Sequence, residues 1–319
     1  MAVFAPETGR APSPRPPAPP APTALRRLPG RRKMTWIAWG FAAPFMILFV
    51  VFMAGPIFAS FVMSFTDLTT RDLRSPFNVN FIGLENYLNL FQDPRFLKAL
   101  SNTAVFVIVG VPLTIVLALL VALALNNGIN KFRTVFRVGY YAPVVTSIVA
   151  IAIVWKFILQ PDGLLNGFLS IFGVSGPNWL EDTAFALPSL IAMAIWRNIG
   201  TLMVIFLAGL QGVGQEQVEA AMMDGAGPVQ RFFNVVVPAL RPTLLFAAVI
   251  TGIGFLQFFE EPFVMTRGGP LDATLSTAMY TFNQFGFGNY SYASAASYVL
   301  FLGIVVLSLV QFRFLRQKD

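Results

Sequence analysis

Six stretches of this chain are long and apolar enough to cross a membrane. They run approximately Ile37–Met63, Ala104–Leu125, Val138–Leu159, Phe185–Leu210, Leu244–Phe263 and Ala295–Phe314. A hydrocarbon core about 30 Å thick needs about 20 residues of helix to cross it. Inside that core every backbone N–H and C=O must find its partner within the segment, so such a run is helical. Polar or turn residues bound the runs, as Asn126-Asn127-Gly128 does after the second and Gln160-Pro161-Asp162-Gly163 after the third. The 319 residues are 56% hydrophobic and 12% charged, against about 25% charged in soluble domains. The expected fold class is an all-α polytopic membrane protein with six transmembrane helices.

The 22 Lys and Arg residues set the orientation. Arg10, Arg15, Arg26, Arg27, Arg31, Arg32 and Lys33 precede the first span. Lys131, Arg133 and Arg137 follow the second, Arg231 and Arg241 follow the fourth, and Arg313, Arg316 and Lys318 end the chain. All of these fall on one side. The other side has Arg71, Arg74, Arg95, Lys98 and Arg267, while Lys156 and Arg197 lie within spans. The positive-inside rule then puts both termini and the loop after span four in the cytoplasm.

Several classes of chemistry are excluded. The chain has no Cys and no His, which removes disulfides, thiolate metal sites, Cys nucleophiles and imidazole bases. It contains no Gly-Lys dipeptide and hence no Walker A phosphate loop. The net charge of +7 follows from topology, and no basic stripe with interleaved aromatics suggests nucleic acid. Neither a metal nor a bound cofactor is expected, and the chain is not expected to be an enzyme. Residues 1–35, rich in Pro, Ala and Arg, form an expected disordered cytoplasmic tail, and residues 36–319 an expected transmembrane domain. A cleaved signal peptide is disfavoured, because the first apolar run and the tail before it are both too long. The external segment Ser64–Ser101 is short for a domain and is expected to cap the outer surface.

The cytoplasmic loop at about 211–241 carries more pattern than a bare connector needs. Gln215 to Asp224 can form two to three helical turns, with Glu216 and Glu219 near the positive end of the helix dipole. Ala220, Ala221 and Asp224 share one face at spacings of three and four. Alanines let a partner approach closely, and the carboxylates can pair with its Lys or Arg. Gly225 suits a left-handed residue ending the helix, and Pro228 can open a second one. Phe232, Phe233, Val236 and Val237 offer an apolar face to tie that second helix to the bundle, and Pro238 and Pro242 mark the return to the membrane. An ordinary amphipathic interfacial loop would account for this much equally well.

The same residues carry a resemblance. Glu219-Ala220-Ala221, Gly225 three residues on, and Val235-Val236-Val237-Pro238 after nine more resemble the EAA loop of binding-protein-dependent ABC importer permeases. Val stands where the family has Ile and Leu, and Val213-Gly214 where it has Ile-Pro. Gly83-Leu84-Glu85-Asn86-Tyr87, Asn102-Thr103, Phe136-Arg137, Gly163 with Asn166, Ala208-Gly209-Leu210-Gln211 and Thr266-Arg267-Gly268-Gly269-Pro270 are similar to other motifs of the maltose/glycerol-phosphate-type permeases. The resemblance covers nearly everything from the first span onward.

It implies a type I ABC importer permease fold forming half of a pore for a sugar or related solute in a bacterial or archaeal inner membrane. It also implies partners: a second, related permease, two cytoplasmic ATPase subunits and an external solute-binding protein. ATP and Mg²⁺ would be bound by the ATPases. Glu219, Ala220, Ala221, Asp224 and Gly225 would couple the permease to its ATPase.

Polar groups within the spans point to a solute path. A charge at mid-bilayer costs at least about 2.5–3.5 kcal/mol, so Arg197 should face a pore or a carboxylate, with Glu260 and Glu261 the candidates. A transient cavity near Arg197, Asn198, Gln257 and Glu260 could hydrogen-bond a solute, and Tyr140, Tyr141 and Trp155 could supply faces for sugar C–H surfaces. A purely structural Arg–Glu tie, and interfacial belt positions for the aromatics, are the plainer alternatives. Lys156 is expected to snorkel outward.

Two rival functions remain. An ion-gradient-driven secondary transporter would show inverted repeats and broken midplane helices; no repeat is visible, and a docking loop would be superfluous. An intramembrane enzyme would need paired groups at one depth, whereas the adjacent Glu260 and Glu261 diverge on a helix.

Overall fold

The computed structural model describes residues 31–74, 79–127 and 132–315. Residues 1–30 of the expected tail, Lys131, Arg316 and Lys318 lie outside them. Helix α1 spans Arg31–Phe49, so regular structure begins five residues before the expected tail boundary. A π-turn at Val50–Ala54 follows, then α2 at Gly55–Met63. Pro56 has no N–H to give back to the preceding turn, and the wider turn accommodates that loss. The chain divides into two units, one ending at Pro56 and one from Ile57 onward.

The second unit contains α3 Glu85–Gln92, α4 Pro94–Asn127, α5 Arg133–Val145, α6 Ile148–Ile158, α7 Leu164–Ile171 and α8 Ala186–Gln211. It continues with α9 Gln215–Met223, α10 Pro228–Arg231, α11 Val237–Ala239, α12 Arg241–Leu256, α13 Glu260–Met265, α14 Thr277–Gly286 and α15 Tyr290–Leu315. Five segments can span alone: Ala38–Met63, Pro94–Asn126, Ala186–Gln211, Arg241–Met265 and Tyr290–Arg313. The sixth is α5 and α6 taken together, and it is not the straight helix the sequence suggests: the two halves bend by 102°. Thr146 and Ser147 take extended ψ angles of 145° and 128°, and the Thr146 hydroxyl donates to the Ala142 carbonyl at 2.9 Å, closing α5. The fifth span is also interrupted, at Gln257–Phe259. Pro262, inside α13, can neither donate to nor sit beside the carbonyl four residues back, that of Phe258.

Helix α8 is the central pillar, with 56% of its spanning window buried. Lipid tails are as apolar as Leu, so helices in a bilayer gain by close approach of small residues. Gly200 on α8 meets the Tyr140 carbonyl of α5, and a Cβ at Gly209 would lie 2.7 Å from the Thr243 hydroxyl of α12. One buried cluster joins Phe106, Ile151, Leu190 and Phe255, with Phe106 stacked on Phe258 at 3.9 Å. A second joins Ala118 and Leu125 to Met203, Phe206 and Leu240 near the loop.

The described part of Ser64–Ser101, the segment expected to cap the outer surface, folds against α14 and α15. Leu90 and Phe96 pack with Leu275, Tyr280 and Ala295 in a third cluster. Polar side chains complete it. The Asn86 amide donates to the Ser64 and Thr66 carbonyls, the Asn102 amide to those of Asp272 and Leu275, and Thr103 bonds Thr277. Motif residues that served only for likeness in the sequence are thus the polar staples of this cap.

Candidate functional site

Two places on the second unit hold most of the residues singled out from the sequence. The first is the loop between α8 and α12. Helix α9 starts after an extended Gly214 with no side-chain cap, and Glu216 in its first turn complements the dipole. It ends in a Schellman motif: the Gly225 N–H donates to the Met222 carbonyl at 3.0 Å and the Ala226 N–H to the Ala221 carbonyl at 2.9 Å. This closure needs a residue at positive φ, and Gly225 has φ +81°. Gly227 and Pro228 then open α10, with Pro at the first turn, where its missing N–H costs nothing.

Glu219, Ala220, Asp224 and Gly225 are exposed and Ala221 is half-buried. Met223 is 88% exposed. The loop is nevertheless anchored, since Val213, Val236 and Leu244 pack on the cluster containing Leu125, Leu210 and Leu240. Of the four residues expected to tie the second helix down, Phe232, Val236 and Val237 are half-buried. Phe233 is not: it is 61% exposed. A π-turn at Phe232–Val236 breaks the α-helical register on which the expected face depended. A cavity of about 750 Å³ lies beside α9, lined in part by Leu123, Asn126, Gln211, Val218 and Glu219. Glu219 therefore borders this hollow, whereas Ala220 and Asp224 do not.

The second place is a cavity of about 240 Å³ between α8, α12 and α13. It brings together Arg197, Asn198, Gln257 and Glu260, and adds Thr201, Thr251 and Glu261. Tyr140 and Trp155 are elsewhere. Tyr140 is 40% exposed on the α5–α8 crossing, and Trp155 lies against Trp196 with ring centroids 5.6 Å apart. Tyr141 and Lys156 are exposed.

The anticipated Arg–Glu tie is not formed: among the described residues the ion pair present is Arg95 with Asp272. Arg197 Nε and Glu261 Oε2 are buried without hydrogen-bond partners, while the Asn198 amide donates back to Ala194 at 2.8 Å. Glu261 is 5% exposed. Buried polar atoms usually have a hydrogen-bond partner, so these two stand out in the cavity lining. Sequence reasoning left Thr201 and Thr251 out. The available signal was spacing, since Thr201 stands four residues after Arg197 and so shares its face.

Comparison with known proteins agrees with this architecture. Residues 39–316 match the family described as the binding-protein-dependent transport system inner membrane component. The lactose transport system permease protein LacF of Rhizobium radiobacter is 37% identical over 88% of this chain and 94% of its own length. The trehalose/maltose transport system permease protein MalF of Thermococcus litoralis is 33% identical over 84% of this chain and 89% of its own. Among solved structures, a bacterial ABC transporter involved in import of the acidic polysaccharide alginate superposes with a TM-score of 0.73 at 25% identity, covering 89% of this chain and 96% of that one. The fold is that of an ABC importer permease, and the chain belongs to the family of inner membrane components of binding-protein-dependent transport systems.

Proposed function

We propose that this chain forms half of the pore of an ATP-driven importer, pairs with a second permease, and takes its motion from a separate ATPase through α9. Two ATPase subunits, which bind ATP and Mg²⁺, seat on the cytoplasmic loops of the two permeases. An external binding protein delivers the solute, and both termini of this chain lie in the cytoplasm. The observation that carries the reading is the exposed Ala220–Asp224–Gly225 end of α9, closed by a tight cap and anchored by Val236 and Leu240. A helix held in a partner's groove transmits rigid-body motion without chemistry of its own.

The solute we assign is a sugar or closely related polyol. Two relatives are lactose and trehalose/maltose permeases by name. Arg197, Asn198 and Thr201 from α8, with Thr251 and Gln257 from the other side, offer both donors and acceptors in the cavity lining. At about 240 Å³ the cavity is smaller than the roughly 300–1,000 Å³ usual for ligand sites, which suits one half of a pathway that a second subunit completes.

The ion-gradient alternative gains one point, because the bend at Thr146–Ser147 and the break at Gln257–Phe259 are the kind of interruption it uses. Family membership and the docking-ready loop weigh against it.

The test is the complex purified from native membranes with its ATPase. Ala220→Arg places a bulky cation where close approach is needed. We expect normal membrane insertion with loss of ATPase co-purification and transport. Undiminished ATP-dependent transport in that variant overturns the coupling role, and full transport by this chain alone in nucleotide-free vesicles overturns the whole reading.

A further inference from the structure

Between α6 and α8 the residues Gly163–Leu180 carry no charge. They contain α7, whose two sides are both apolar. One side faces the bundle: Leu165 packs on the buried cluster of Phe106, Leu187 and Leu190. Asn166 fixes the rotation of the helix, since its amide donates to the Pro161 and Pro177 carbonyls at 3.0 and 3.3 Å and its oxygen accepts from Trp179 Nε1 at 2.7 Å. The other side is bare. Leu164 is 76% exposed, Phe168 57% and Ile171 77%, at spacings of four and three that make one stripe.

We propose that this stripe is a lipid contact. On this reading α7 lies flat in the bilayer interface on the side opposite the coupling loop, with Leu164, Phe168 and Ile171 among the acyl chains. The side is opposite because α7 precedes the spanning helix α8 and α9 follows it. Eight residues make about 12 Å of helix, far short of the roughly 30 Å needed to cross, so the helix does not span.

Continuity names the occupant. The bare apolar surface of α6, with Ile153, Val154 and Phe157 exposed, belongs to the spanning layer, and α7 follows α6 after a turn of five residues. Phe172 and Val174, also exposed, extend the surface beyond α7. The charges resume only at Asp162 and at Glu181-Asp182, which places the edges of the stretch in water. Half-buried Trp179, with its N–H satisfied, sits where an indole favours the headgroup level. The inference needs only the membrane setting and is independent of the coupling and solute assignments.

The chain lacks cysteine, so single labels are clean. Leu164→Cys, Phe168→Cys and Ile171→Cys, and Glu181→Cys as a water reference, are each given a nitroxide in the assembled transporter. Cysteine-free partners are used, and the complex is reconstituted in phospholipid vesicles. Collision rates with molecular oxygen and with a neutral nickel chelate are then read by electron paramagnetic resonance. The expected result is a ratio of oxygen to nickel accessibility several-fold higher at 164, 168 and 171 than at 181. Nickel access equal to that at 181 puts the stripe in water and overturns the proposal. Exclusion of both quenchers puts it under protein, a second permease or the binding protein, and overturns it equally. Three separate positions keep the result from hanging on one tolerated substitution.

Discussion

Arg95 grips the carboxylate of Asp272 through two hydrogen bonds of 2.8 and 2.9 Å, joining the start of α4 to the loop after α13 across 177 positions of chain. The pair is well aligned but wet, with side-chain exposures of 57% and 30%. Exposed pairs contribute about 0–1 kcal/mol. Asn102, nearby and buried, bonds two carbonyls of the same loop. Asn102→Ala leaves both without that donor, at about 1–3 kcal/mol. Thermal unfolding in detergent should therefore rank Asn102→Ala as clearly more damaging than Arg95→Ala. The reverse order would mean that the cap is held by charge.

Tyr280 gives the cap a pH limit. The residue is 2% exposed, and its phenol donates to Asp93. Burial, and then that hydrogen bond, push its pKa well above the ordinary value of 10. A raised pKa in the folded state adds stability below the unfolded value, and this is lost as pH rises beyond about 10. We expect Tyr280→Phe to unfold more easily at neutral pH, and the gap between it and the parent to narrow in strong alkali. A constant gap from pH 7 to 11 would refute this account.

At the loop, Gly225 holds φ +81° with open space around its α-carbon. Substitution there is limited by backbone conformation and not by crowding. Gly225→Ala should cost about 1–2 kcal/mol locally, leave the spans intact, and loosen the end of α9. Solute-stimulated ATP hydrolysis in the assembled complex should fall by more than basal hydrolysis does, and equal losses would contradict this.

In the membrane cavity, Asn198→Ala and Gln257→Ala remove hydrogen-bonding groups without adding bulk. Uptake assays should show KM rising several-fold for either, with an ATPase that still assembles. Uptake kinetics unchanged in both variants would remove the cavity from the solute path.

Much of this architecture could be read from residue pattern, and the exceptions have identifiable causes. The spans were visible because apolar length is a one-dimensional property. The end of α9 was visible because Gly225 and Pro228 each serve a backbone position few other residues fill. The break in the fifth span was foreseeable from Pro262, whose effect falls four residues earlier at Phe258. The bend at Thr146–Ser147 was not, because no Pro or Gly stands at the break and its closure depends on a hydroxyl-to-carbonyl bond that any Thr could make. Among the membrane residues, Arg197, Asn198, Gln257 and Glu260 do share one cavity. Tyr140 and Trp155 do not, because their directions depend on how α5 and α6 bend apart.

The approach of Gly209 to Thr243 has a mechanical corollary. At that point the helices entering and leaving the loop touch, so the loop is a handle whose two shanks are joined at the collar. The same two helices bear Arg197, Asn198 and Thr201 on one and Thr251 on the other. On the proposed coupling, a tug on the handle would reach both walls of the chamber at once, and the aperture of the chamber would follow the handle.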